Sequence, residues 1–124
     1  MKKAIIIVGN QKFIKNNQQA DDFYNQIKNF LEQNGCNVSF DLGEPFTKPR
    51  EADIWVGHSR GADRLRFAPT RVKTLAIGSS SKGAINHPKD NTRSFLGPSN
   101  LIPNRYHYVF TEEMKQKILN LLNS

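Results

Sequence analysis

The chain has 124 residues, one cysteine and a formal net charge of +7, with 37% apolar and 23% charged residues. That length suits a single domain over 1–124, and that balance excludes global disorder. The lone Cys36 excludes an internal disulfide and a cysteine-built zinc site, while basic residues spread along the whole chain give no aromatic-interleaved stripe for specific nucleic-acid binding.

The apolar stretch 4–8 follows Lys2 and Lys3. It is too short for a membrane span or a signal-peptide core, and it predicts a strand covered on both faces. Gly9, Asn10 and Gln11 end it. Phe23, Tyr24, Ile27, Phe30 and Leu31 then fall on one stripe at helical spacing, predicting a helix over 20–34 stopped by Gly35 as its C′ residue. Val38, Phe40 and Leu42 alternate, which predicts a second strand over 37–42, nearer an edge. A Pro- and Gly-bearing loop follows over 43–51.

A short apolar strand is predicted over 53–56, a sharp turn over 57–61, and a brief helix over 62–68 stopped by Pro69. The next strand covers 72–77. Gly, Pro, Asn and Ser recur at short intervals over 82–105, which reads as irregular chain, and a last short strand is expected over 106–110. Thr111 is the expected N-cap of a final helix, with Glu112 and Glu113 in its first turn and Met114, Ile118, Leu121 and Leu122 on one face. Strands separated by helices imply right-handed crossovers. The expected fold class is α/β: a three-layer sandwich with a mainly parallel central sheet of about five strands. In such sheets ligands sit beyond the carboxyl ends of the strands, which directs attention to the loops after Val8, Val56 and Ile77.

The loop after the third strand contains Gly57-His58-Ser59-Arg60-Gly61, a match to G-x-S-x-G. The pattern alone arises by chance in about one of 30 chains of this composition, so its setting decides its weight. Here it directly follows an apolar strand and directly precedes a small-residue helix, the setting the motif requires. The chemistry explains the residue types. A serine on a tight strand-to-helix turn is crowded by the residues two before and two after it, and glycine at both removes the colliding Cβ atoms. The hydroxyl is then lifted clear of the sheet beside helix amides that can stabilise negative charge.

At these residues the chain resembles the α/β-hydrolase family in a small, lidless, cutinase-like form. Residues 54–62 look like that family's strand, nucleophile elbow and following helix. Residues 72–79 look like its next strand, and 5–10 are similar to the strand whose exit loop lends the second oxyanion-hole amide. The resemblance implies Ser59 as nucleophile, Asp90 as acid and His107 as base, in the family's chain order. It also implies an oxyanion hole from the amide of Arg60 with one from Asn10 or Gln11, and an elbow of Gly57, His58 and Gly61. The implied activity is hydrolysis of an ester, thioester or amide of a small acyl substrate, with no cofactor and no metal. The family's core is about twice as long, and its strand immediately before the acid has no counterpart in 84–89.

Plainer roles stand beside these. Ser59 can serve as an N-cap, His107 as a packed member of an aromatic cluster, and Asp90 as a turn residue before Asn91. His87 competes as base, and Asp53 and Asp63 as acids. The rival function is a Rossmann-like nucleotide-binding module using the 57–61 loop for phosphate, since Gly57-x-x-x-Gly61-x-Asp63 also looks like the phosphate loop of lysine-decarboxylase-like nucleotide-binding proteins. A degenerate hydrolase fold serving protein interaction is a third option. Expected location is the cytoplasm, and a small open-edged sheet could pair with a copy of itself as a homodimer.

Overall fold

A computed structural model of the protein describes residues 1–8, 17–42, 49–77, 93–96 and 108–124. In chain order these form β1 (Lys2–Ile7), α1 (Gln18–Gln33), β2 (Cys36–Asp41), β3 (Ile54–His58) and α2 (Arg60–Asp63). The 3-10 turn Arg64–Phe67 comes next, then β4 (Lys73–Ile77), β5 (Arg93–Leu96) and α3 (Glu112–Leu122). The strands lie in the order β2-β1-β3-β4-β5, and every neighbouring pair is parallel. The fold is therefore a parallel α/β sheet, and the carboxyl ends of its strands share one edge.

β1, β3 and β4 feed two cores because successive side chains point to opposite faces. Ala4, Ile6 and Val8 join Ile54, Val56, Leu75 and Ile77 against α1 and α3. On the other face Ile5, Ile7, Trp55 and Ala76 meet Ala62, Leu65, Ala68 and Val72. Burial on both sides is why β1 and β3 read as unbroken apolar runs and not as alternating ones. β2, at the edge, alternates, with Asn37 and Ser39 exposed.

The helices begin and end for local reasons. The Asn17 side chain accepts a hydrogen bond from the Ala20 amide at 3.1 Å and caps α1. Beyond the C-cap Asn34, Gly35 takes φ +84°, the left-handed conformation that terminates helices. Thr111 Oγ1 accepts from the Met114 amide at 3.2 Å and starts α3, as the sequence predicts. At the other end of α3 the Lys73 ammonium donates to the Leu121 carbonyl at 2.8 Å, and Lys2 donates to that of Leu122. Cations from the amino ends of β4 and β1 thus meet the negative pole of the helix.

The structure corrects four boundaries. β3 runs on through Gly57 and His58 before the turn, because both find partners on β4. The following helix starts at Arg60 and becomes a 3-10 turn after one α-turn. Within the stretch read as irregular, Arg93–Leu96 pairs along β4. In place of a last strand, Tyr108 lies in a turn and Phe110 packs its ring 5.6 Å from Phe30 and 6.4 Å from Phe23. There an aromatic alternation serves helix packing.

Cys36 opens β2 with only 4% of its surface exposed, and burial pushes its thiol above the ordinary range. Its thiolate is the reactive form. Native protein at pH 8 is expected to react with iodoacetamide at least tenfold more slowly than urea-unfolded protein, followed by mass shift. Equal rates would mean that β2 opens freely at the edge.

Candidate active site

Ser59 stands at the carboxyl edge of the sheet, between the end of β3 and the start of α2. Its backbone holds φ 57° and ψ −122°, the only positive φ of a non-glycine among the described residues. Those angles belong to the first central residue of a type II′ turn, a position that glycine normally fills. A serine there costs about 1–3 kcal/mol, so the surroundings must impose it. They do so from both sides: the Ser59 amide donates to the Ile77 carbonyl at 2.9 Å, and the Ser59 carbonyl accepts from the Ala62 amide at 3.0 Å.

The two glycines are required by contact, as the motif predicts. A Cβ on Gly57 would stand 2.7 Å from the Gly61 carbonyl oxygen and 2.9 Å from the Ala62 Cα. A Cβ on Gly61 would stand 2.1 Å from the Ile7 carbonyl oxygen. The elbow therefore folds back on its own strand and rests on the end of β1. A second tie fixes the same junction: Arg64 Nη1 donates to the Val8 carbonyl at 2.7 Å.

Although Ser59 occupies the N-cap position of α2, its side chain makes no capping hydrogen bond. The plain capping role is set aside on that geometry. The half-buried hydroxyl is thus not committed to the helix end.

His58, the variable residue of the motif, points the other way. By strand alternation it shares the face of Ile54 and Val56, and it is 1% exposed. Its Nδ1 shares a 2.8 Å hydrogen bond with the hydroxyl of Tyr24 on α1. Its ring centroid lies 4.7 Å from Phe23 and 5.5 Å from Tyr108. This buried cluster was readable from period-2 alternation through 54, 56 and 58 opposite the Phe23/Tyr24 stripe, but the motif itself drew attention only to the serine. Burial also raises the Tyr108 phenol above its ordinary value of about 10, so it stays neutral at physiological pH.

Asn10, Gln11, His87, Asp90 and His107 lie outside the described residues, as do the side chains of Arg60 and Asp63. Tyr108, bonded to His107 in sequence, packs on His58, which is bonded to Ser59. Arg93, three residues beyond Asp90, pairs with Thr74 at the amino end of β4, the edge remote from Ser59. Asp53 is corrected as a competing acid. It precedes β3 at that same remote edge, and its carboxylate accepts from the Lys3 amide at 2.7 Å. Five strand residues at about 3.3 Å each separate it from Ser59.

Sequence reasoning gave no role to Asp41. It ends β2 nearly buried and ion-pairs with Arg50 at 3.0 Å, while the Arg50 carbonyl accepts from Trp55 Nε1 at 3.2 Å. Among the described residues no group of three His, Cys, Asp or Glu side chains could hold a metal ion, and no helix is long and apolar enough to cross a membrane. Compared with known proteins, the chain matches no family model, no curated protein and no solved structure.

Proposed function

We propose that this chain is a small serine hydrolase of the α/β-hydrolase type, built as a three-layer sandwich on a central sheet of about five strands. The observation that carries the reading is Ser59 itself. Its backbone is held at φ 57°, ψ −122° between two glycines that sterics demand, and its side chain is not spent on capping α2. Strain maintained against a cost of about 1–3 kcal/mol marks positions where geometry serves a purpose beyond folding.

In this mechanism Ser59 Oγ attacks the carbonyl carbon of an ester, thioester or amide while its proton passes to His107. The oxyanion is held by the amide of Arg60 and one from Asn10 or Gln11. His107 then protonates the leaving group, and water attacks the acyl-enzyme by the same route in reverse, with Asp90 orienting the imidazole. The tie between Gly61, Arg64 and the end of β1 supports the oxyanion assignment, because Val8, two residues before Asn10 in sequence, lies against the elbow. Tyr108 packing on His58 supports the choice of His107. A lone buried cysteine suits a reducing cytoplasm.

The nucleotide-binding alternative needs the amides of the 57–61 loop turned toward a phosphate. The Ser59 amide is already bonded to Ile77, and Gly57 is a strand residue paired with β4. That reading gains no support.

A fluorophosphonate probe tests the proposal. Ser59 Oγ would displace fluoride from phosphorus, and mass spectrometry would place the adduct on the peptide holding Ser59. His107→Ala is expected to slow capture by about 10²- to 10⁴-fold. A wild-type protein that stays unlabelled, yet gains several degrees of melting temperature with a nucleotide, would favour the alternative.

A further inference from the structure

The buried pair Tyr24–His58 has no part in the proposed chemistry, yet it adjoins Ser59. His58 is covalently joined to Ser59, and its ring is wedged between Phe23 of α1 and Tyr108. Tyr24 closes the third side, its ring centroid 5.5 Å away and its hydroxyl 2.8 Å from Nδ1. His58 is 1% exposed and Tyr24 4%, so the hydrogen bond forms where solvent does not compete. An imidazole held on one nitrogen and packed against three rings has one orientation. An isoleucine or valine, like Ile54 and Val56 on the same face of β3, would fill the space without a directional bond.

We infer that Tyr24 and His58 are positioning residues for Ser59, fixing the elbow from beneath and setting its distance from the chain segment that Tyr108 begins. The inference rests on the hydrolase reading and deepens it. Tyr24 acts through a bond and not through bulk: phenylalanine keeps the ring against Phe23 and loses the hydroxyl that meets Nδ1. The cluster would then keep its packing while the imidazole gains freedom to turn, and the hydroxyl of Ser59 would spend less time in attacking geometry.

The test compares wild type, Tyr24→Phe and His58→Asn by burst kinetics on an activated p-nitrophenyl ester, with fluorophosphonate capture in parallel. Burst amplitude counts properly folded sites, and the rate constant reports how well each site reacts. Tyr24→Phe is expected to lower the acylation rate constant about tenfold, with the amplitude near that of wild type and KM within twofold. His58→Asn removes the ring from Phe23 and Tyr108 together with the Nδ1 that meets the Tyr24 hydroxyl. It is expected to fall at least as far, and adding Tyr24→Phe to it should lower the rate by less than twofold more. A merely structural role would instead reduce amplitude at constant rate, and that result, or an unchanged rate constant in Tyr24→Phe, overturns the inference while leaving the hydrolase reading intact. A wild type with neither burst nor adduct removes the hydrolase reading and this inference together.

Discussion

Ser59→Ala is expected to abolish fluorophosphonate labelling and to lower ester hydrolysis by about 10⁶-fold, the scale seen when a triad serine is removed. The same position makes a second, independent demand on stability. Alanine keeps a Cβ and therefore keeps the strain of φ 57°, ψ −122°, so Ser59→Ala should melt within a degree or two of wild type. Glycine releases the strain. Against that gain of about 1–3 kcal/mol stands about 0.5–1 kcal/mol for the greater freedom of an unfolded glycine. Ser59→Gly should therefore be inactive and more stable than Ser59→Ala, by about 2–8 °C in melting temperature. Inactivity traded for stability is what a functional elbow should show. Retained labelling in Ser59→Ala would identify a different nucleophile, and a glycine variant no more stable than the alanine one would mean that the turn is unstrained.

The second large effect belongs to Gly61. Its missing Cβ would lie 2.1 Å from the Ile7 carbonyl oxygen, 2.8 Å from the Ile7 carbonyl carbon and 3.1 Å from that of Val8. All three atoms are main chain, so none can swing aside as a side chain would. β1 is hydrogen-bonded on both edges, to β2 and to β3, and cannot retreat alone. Gly61→Ala is expected to cost about 3 kcal/mol or more, at the severe end for overpacking. In urea the midpoint should drop sharply with an unchanged slope. Gly57→Ala should cost less, because its nearest contacts, at 2.7 and 2.9 Å, are less severe than the 2.1 Å approach at Gly61. If Gly61→Ala unfolds within 0.5 kcal/mol of wild type, the elbow does not sit on β1, and the proposed oxyanion role of Asn10 or Gln11 loses its support.

The reading from residues alone succeeded where local rules are strict. The α1 stripe of Phe23, Tyr24, Ile27 and Leu31 is buried as its spacing requires, Gly35 takes the left-handed turn, and Thr111 caps α3. It failed where pairing decides. Residues 93–96 (Arg-Ser-Phe-Leu) carry no alternation and lie among Gly, Pro and Asn, yet β4 offers them an open edge and the main chain pairs there regardless of side chains. Tyr106, Tyr108 and Phe110 alternate as a strand would, but Tyr108 and Phe110 spend their rings on Phe23, Phe30 and His58.

The residues by themselves determined the parallel α/β character, through apolar runs punctuated by helical stripes. They also determined the position of the elbow, because only glycine fits at 57 and 61 and a one-dimensional spacing can record that. Tertiary structure decided what surrounds the serine: the unsatisfied cap, the rest of Gly61 on β1, Arg64 on Val8, and the buried link from Tyr24 to His58. Each joins elements 34 to 56 residues apart or depends on how two of them approach. Spacing along a chain carries period and sterics, whereas a contact between distant strands exists only once the sheet has brought their ends to a common edge.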